Sequence, residues 1–287
     1  MNINTNANCG ACGAPCSGEQ THANSVVDQS SGTFGTCISC GSLRVLDKID
    51  YNALYSKRDS SNYPSAGNTI LVNLKQWYLR RTAKSLVELI ASPSAKILDY
   101  GCGGGEFSNA IHSLGFTSVY ACDMQLDRPQ TLSSDVQYSG IVDIANTGLF
   151  DIIVMRHVLE HIEYPQPILQ RLACQLAPGG QILIEVPNSR SLFRKLLGSR
   201  WPGYFYPFHV HVFSEQGLSA LANRCGLAVK AVTQCNSPIF GVFLMGLGIK
   251  RTYARTLSIF FYPGQCILNQ LTNRQEAIRI TLQKRWP

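Results

Sequence analysis

Ile97-Leu-Asp-Tyr-Gly-Cys-Gly-Gly-Gly-Glu-Phe107 is the stretch on which the reading of this chain turns. Residues 96–100 read as a short strand, which ends in Asp99-x-Gly101-x-Gly103-x-Gly105. Glycine lets a backbone turn sharply and approach a ligand closely. A dinucleotide fingerprint needs G-x-G-x-x-G, but counted from Gly101 the third glycine position is Glu106, which weakens a pyrophosphate reading. Outward from this loop, residues 106–114 read as a helix and 118–123 as a second strand with Asp123 at its end. Val136-Gln-Tyr138 is a weak third strand and 150–155 a buried fourth. A helix over 165–176 is closed by Pro178-Gly-Gly180, strand five covers 181–186, and helix 215–225 precedes strands 227–234 and 277–283. Strands alternating with helices predict an α/β fold on a doubly wound, mainly parallel sheet. Ligands bind such sheets at the carboxyl ends of the strands. That places Asp123 to accept hydrogen bonds from ribose hydroxyls, and Asp143, after the third strand, to face an adenine ring.

Three segments in this order resemble the motifs of class I S-adenosylmethionine-dependent methyltransferases. They are the glycine loop above, Phe150-Asp-Ile-Ile-Val-Met-Arg-His-Val-Leu-Glu-His161, and Leu176-Ala-Pro-Gly-Gly-Gln-Ile-Leu-Ile-Glu-Val-Pro-Asn188. The likeness runs over roughly 95–235 and returns near 277–284, and within the superfamily it leans toward the ubiquinone-pathway-like enzymes of small molecules. The resemblance implies a seven-stranded Rossmann-like sheet with an antiparallel last strand. It also implies S-adenosylmethionine as cofactor, with Asp99, Gly101, Gly103 and Gly105 at the methionine moiety, Asp123 at the ribose and Asp143 at the adenine. Loop capping is the other use open to these aspartates.

Length and composition bound the rest. The 287 residues allow about two domains. Hydrophobic residues make up 45%, enough for a sizeable core, so a disordered or collagen-like chain is excluded. No apolar run is long enough for an ordinary transmembrane helix, and the first residues lack the basic-then-apolar pattern of a secretory signal. The expectation is a cytoplasmic protein. Its net charge of +7 is uneven: residues 190–287 hold 13 Lys and Arg against Glu215 and Glu276 alone. Such a region suits an anionic substrate or an anionic membrane surface, or is simply a solvated basic face.

Eleven cysteines raise the question of disulfides, but Cys9-Gly-Ala-Cys12 and Cys37-Ile-Ser-Cys40 form two C-x-x-C pairs. Two such knuckles complete a tetrahedral Zn²⁺ site. The Ser-, Thr-, Asn- and Gly-rich segment between them needs a staple to fold. Residues 1–47 thus resemble a zinc ribbon with a structural metal, followed by a connector and helix over 48–94 and the main domain over 95–287. Cys16 and His22 are spare candidate ligands, with the bystander role favoured for both. A redox pair is disfavoured because no strand-to-helix context precedes either knuckle. Most of the remaining cysteines read as small buried hydrophobes.

Methyl transfer to oxygen or carbon often needs a base, and histidine suits it. His157 and His161 follow the fourth strand, with Glu160 between them. Some ubiquinone-pathway enzymes carry Glu-x-x-Glu-His here and bind a divalent ion, but this chain has His157 in place of the first Glu. The second group is Trp201-Pro-Gly-Tyr-Phe-Tyr-Pro-Phe-His209-Val-His211-Val-Phe-Ser214, read as an aromatic lid. Its Pro-x-His-x-x-x-Phe-Ser resembles small-molecule members of the family and makes His209 the first base candidate. Packing or capping is the competing role for each histidine. Residues 236–273 form a hydrophobic and basic insertion, suited to peripheral membrane contact or to burial against the chain's own sheet.

The leading expectation is therefore a methyltransferase of a small or carrier-linked metabolite. A sugar, glycan or other hydroxylated acceptor fits, with O-methylation ahead of C-methylation. Nucleic-acid modification is the alternative, opposed by a ribbon without Lys or Arg between Cys9 and Cys40 and by Arg156-His157 where a base-handling motif would stand. A binding protein that kept the fold without turnover is the third.

Overall fold

The computed structural model describes residues 7–24, 30–56, 69–87, 92–125 and 127–285. Of the connector and helix expected over 48–94, residues 57–68 and 88–91 fall outside them. At the N-terminus β1 (Gln20–Asn24), β2 (Ser31–Thr36) and β3 (Leu43–Val45) form an antiparallel meander. Helices α1 (Tyr51–Ser56) and α2 (Thr69–Val87) lead from it to the main sheet. That sheet begins at β4 (Ile97–Tyr100), in the expected place. It adds α3 (Glu106–His112), β5 (Val119–Asp123), β6 (Gln137–Gly140) and β7 (Phe150–Arg156). Then come α4 (Pro165–Cys174), β8 (Leu176–Pro187), α5 (Leu192–Leu197), the two-residue β9 (His211–Val212), α6 (Glu215–Arg224) and β10 (Leu227–Cys235). Helices α7 (Phe240–Gly246) and α8 (Arg251–Thr272) precede the last strand, β11 (Ala277–Lys284).

The main sheet has seven strands in the order β10-β11-β8-β7-β4-β5-β6. Its five strands from β6 to β8 are parallel, and β11 runs antiparallel between β8 and β10. This is the Rossmann-like sheet with the antiparallel last strand that the sequence resemblance implied. The central strands are buried on both faces, as helices on either side of a parallel sheet require: Ile97, Ile153, Val154 and Ile280 are fully enclosed. Each such side chain contributes about 1.5–3 kcal/mol on burial. Local signals start the helices. Pro165 occupies the first turn of α4, and Ser214 caps α6 by accepting a 2.9 Å hydrogen bond from the Gly217 amide.

The N-terminal meander does not stop at β3. Leu43 pairs with Val212 and Arg44 with His211, so β9, from the loop after the fifth parallel strand, is its fourth strand. The Val45 amide also donates to Val210 O. The aromatic run expected to form a lid is instead mostly core: Trp201 and Tyr204 are fully buried and pack with Phe34, Leu43 and Val45 of the meander. Trp201 Nε1 donates to the buried Glu276 carboxylate at 2.9 Å. The insertion also departs from the expectation of burial, since α8 turns most of its large apolar side chains to solvent.

Candidate functional site

The ends of β4, β5 and β7 lie on one edge of the sheet, and the residues singled out in the sequence gather there. Gly101, Gly103 and Gly105 all have positive φ, at 78°, 55° and 76°. A Cβ at Gly101 would meet Val158 Cγ2 at 2.5 Å, and one at Gly105 would meet Leu132 Cδ1 at 2.5 Å. The loop is thus left-handed and closely packed, where only glycine fits without strain. Asp123 accepts a 2.8 Å hydrogen bond from the Gly103 amide, which ties the acidic strand end to the glycine loop. Asp99 lies beneath, 2% exposed, accepting a 2.6 Å hydrogen bond from Ser108 Oγ. Burial pushes its carboxyl up to about 6, a rise that the Ser108 hydrogen bond and the Arg156 charge only partly oppose. Asp143 opens a 3-10 turn after β6 and is exposed. Sequence reasoning passed over Met124 and Val142, large apolar side chains exposed beside Asp123 and Asp143. Their signal was available, because each directly neighbours an acid at or just beyond a strand end.

From Gly101 the path leads through Val158 to the histidines. His157 has φ 53°, a left-handed conformation that a non-glycine residue adopts at some cost and that clusters at functional sites. Its Nδ1 lies 3.2 Å from Glu160 Oε1 and its Nε2 3.6 Å from Glu185 Oε1. Burial alone would lower the His157 pKa, but the two carboxylates outweigh it and raise it. Glu160 is fully buried, a position expected to favour its neutral form. The hydrogen bond with His157 and the charge of that imidazole nevertheless hold it below the usual carboxylate range. Its Oε2 is enclosed without a hydrogen-bond partner among the described residues. Glu185, on β8, accepts from Arg279 at 2.8 Å and from Arg156 at 3.3 Å. Burial opposes its ionisation, yet Arg156, His157 and Arg279 pull its pKa down to about 2. The Arg156 guanidinium in turn lies 4.3 Å over the Phe107 ring, joining this network to α3 behind the glycine loop.

His209 comes to the same cluster from the other chain segment. Its Nε2 is 3.9 Å from Glu160 Oε1, and its ring meets that of His161 edge-on with centroids 4.6 Å apart. His209 Nδ1 pairs with Gly203 O at 2.8 Å and His161 Nδ1 with Phe208 O at 3.0 Å. A carbonyl can only accept, so both rings carry their proton on Nδ1 in these contacts, and their Nε2 atoms are the basic ones. Burial, then the neighbouring His161 charge, lowers His209 to about 3, so its imidazole is neutral across the physiological range. Ligand atoms of Glu160, His161 and His209 lie within 4.8 Å of one another, a donor set able to hold a divalent ion. His211 stands apart: it is buried against Gly10, where a Cβ would lie 2.5 Å from its Cε1, with Nε2 3.3 Å from Glu163 O. His112 bonds Phe116 O on the far side of α3, and His22 pairs with Thr33 Oγ1 away from the cysteines. A cavity of about 240 Å³ lined by Asn188, Arg190, Glu215, Gln234 and 272–274 shares no residue with this cluster.

The four cysteines of the two knuckles converge as their spacing predicts. All four sulfurs lie within 4.8 Å of one another, with Cys9 Sγ to Cys40 Sγ at 3.7 Å and Cys12 Sγ to Cys37 Sγ at 3.4 Å. Tetrahedral Zn–S bonds of about 2.3 Å require sulfurs about 3.8 Å apart, so the residues fit such an ion. Cys16 sits beside Cys9 in the same buried cluster, outside the four.

Fold and site geometry together define a nucleotide-edge α/β protein with a second, histidine-rich centre next to its glycine loop. A family model described as a methyltransferase domain matches residues 75–232, and the chain belongs to that family. Ubiquinone biosynthesis O-methyltransferase of Xanthomonas campestris pv. campestris is 34% identical over 110 residues, 34% of this chain and 46% of that protein. The mitochondrial enzyme of the same name from Candida albicans is 32% identical over 114 residues, 35% of each chain. This chain thus spans about half or less of the length of these relatives. Among solved structures, magnesium protoporphyrin IX methyltransferase from Synechocystis, with bound S-adenosylhomocysteine, shares the fold at a TM-score of 0.52. It is 13% identical and covers 82% of this chain and 100% of its own. A methyltransferase from Archaeoglobus fulgidus does so at 0.51, with 15% identity and the same coverage.

Proposed function

We propose that this protein is an S-adenosylmethionine-dependent O-methyltransferase of a small or carrier-linked hydroxylated acceptor. The observation that carries the reading is the juxtaposition of the glycine loop and Asp123 with the Glu160–His161–His209 cluster, linked through Val158. When bound, the cofactor supplies an electrophilic methyl group on a sulfonium. The left-handed loop would let its methionine end approach the backbone, with Asp99 below, while Asp123 accepts from the ribose hydroxyls. Met124 and Val142 offer apolar surface to the adenine, and Asp143 a polar edge. His209 Nε2 would take the acceptor's hydroxyl proton as the oxygen–methyl bond forms and the methyl–sulfur bond breaks. Glu160 would steady the resulting imidazolium. Positioning supplies much of the rate of such an in-line displacement, and the buried histidine centre supplies the base. Relatives named ubiquinone biosynthesis O-methyltransferase support an oxygen acceptor. The Cys9, Cys12, Cys37 and Cys40 cluster would hold a structural Zn²⁺.

Calorimetric titration of zinc-loaded protein with S-adenosylmethionine and, in parallel, NADH tests this. Binding of the first alone supports the reading; binding of NADH alone overturns it. Product mass spectrometry over phenols and sugars then identifies the acceptor. The buried Glu160 Oε2 favours a second reading of the histidine centre, in which Glu160, His161 and His209 ligate a divalent ion that activates the acceptor oxygen. Elemental analysis separates the two: one metal per chain fits His209 as base, and a second metal lost in His161→Ala fits the ion.

A further inference from the structure

Helix α8 is amphipathic in the opposite sense to a core helix. Ala254, Ser258, Tyr262, Gln265 and Asn269, spaced by three or four residues, form the stripe that faces the protein. Gln265 and Asn269 are buried and donate 2.8 Å hydrogen bonds to Ser237 O and Asn236 Oδ1. The outward stripe is Tyr253, Leu257, Phe260, Gly264, Ile267 and Leu271, again at three and four. Phe260 is 76% exposed and Leu271 79%. The helix therefore docks on the protein through small and polar residues and presents its oily side outward. Its seat is well built: α7 packs against it with the Phe240 and Phe261 rings stacked at 5.2 Å, and Phe240 packs on Phe193. Helix α8 is not apolar enough to cross a bilayer.

We propose that this face rests on an anionic lipid surface. Charge decides the occupant. From Gln216 to Gln275 the chain contains no Asp or Glu, and it carries Lys250, Arg251 and Arg255 at the start of α8 and Arg274 just past its end. A second copy would bring one acid-free basic segment against another, whereas anionic headgroups supply the missing counter-charge. Tyr253, with a polar end on an apolar ring, suits the depth of a headgroup boundary, and Phe260 the apolar side below it. This inference goes beyond the proposed chemistry and is read out by binding alone.

The test is flotation of the full-length, zinc-loaded protein with vesicles of phosphatidylcholine, alone or enriched in phosphatidylglycerol. Binding is expected only to the anionic vesicles and should weaken as salt rises. Phe260→Ser and Leu271→Ser each remove an exposed side chain, so their melting curves should match the parent while partitioning drops about tenfold or more per site. The same loss from Lys250→Glu with an unchanged melt would support the charge argument. Absence of binding to anionic vesicles overturns the proposal. So does a dimer in sedimentation equilibrium that Phe260→Ser dissociates, which would assign the face to a second copy.

Discussion

Asp99 offers the sharpest test of the cofactor site, because the structure predicts that its charge works against the fold. Its carboxyl is enclosed and its pKa rises from 3.8 to about 6. A rise of about two units corresponds to about 3 kcal/mol at 1.36 kcal/mol per unit. The sign follows from linkage: the folded state binds the proton more tightly than the unfolded chain, so stability is lost as pH rises from 3.8 through 6. Above that window the full penalty applies. Asp99→Asn removes the charge, keeps the shape and retains an oxygen for Ser108 Oγ. The cofactor-free variant should therefore be more stable than the parent at about pH 8 by up to about 3 kcal/mol. For 287 residues at roughly 2.1 cal/mol/K each, that is about 5 °C in Tm. Melts at about pH 8 and again at about pH 4 should show the gap closing on acidification. Calorimetry should show S-adenosylmethionine binding weakened in the same variant, since a stabilising carboxylate-to-amide change at a useful site carries a functional loss. A variant no more stable than the parent at the alkaline pH, or a gap independent of pH, would refute the reasoning.

Asp123→Ala should weaken S-adenosylmethionine binding at least tenfold, through the lost ribose acceptor and the freed Gly103 amide, as read by calorimetry. His209→Ala should leave cofactor affinity within about twofold and reduce kcat by about 10²–10⁴, measured at saturating cofactor. Because the imidazole of His209 is neutral down to about 3, kcat at saturating cofactor should show no acid limb in the ordinary histidine range near 6.5. Stripping zinc with a chelator, or Cys12→Ser, should raise amide exchange at Val45, Val212 and Gly217 as well as at the knuckles, read by hydrogen-exchange mass spectrometry.

The centre of the main sheet was legible because β7 and the second half of β8 are buried on both faces and read as apolar runs, whereas the edge strand β6 gave only a weak signal. Ile152, Ile153 and Val154 announce β7 without reference to any partner. Strand β9 was not legible: two residues carry no periodicity, and His211–Val212 become a strand only because Leu43 and Arg44 lie alongside. The same non-local packing turned the expected lid into core, since Trp201 and Tyr204 look like exposed loop aromatics until Phe34 and Val45 are placed against them. For α8 the periodicity was readable but its sense was not. An apolar stripe ordinarily faces inward, and here Gln265 and Asn269 take that place because Asn236 and Ser237 offer them partners. In the candidate site, the glycines and Asp123 stood out by their place at strand ends, and Asp99 through the resemblance. The role of Glu160 was not, because only the approach of His209 from a segment nearly fifty residues away makes it the centre of a cluster.

That approach ties the cysteine knuckles to the proposed chemistry. The segment carrying His209 has little regular structure of its own: it runs from 3-10 turns through Phe205, at φ 35°, to the short β9. It is held from two sides. On one, the Val210 amide donates to Glu160 O at 2.8 Å, fixing His209 next to the carboxylate it faces. On the other, the Val45 amide donates to Val210 O, Ser214 Oγ donates to Cys40 O at 2.5 Å, and the His211 ring fills the space above Gly10 inside the first knuckle. A single residue, Val210, thus hydrogen-bonds the histidine cluster through its N–H and the N-terminal meander through its C=O. The meander packs Phe34, Leu43 and Val45 on Trp201 and Tyr204, and its Cys37–Cys40 turn meets the first knuckle at the cysteine cluster. A change at the four sulfurs has a direct route to His209 through β3 and β9. An ion in the knuckles would accordingly bear on His209 along this route.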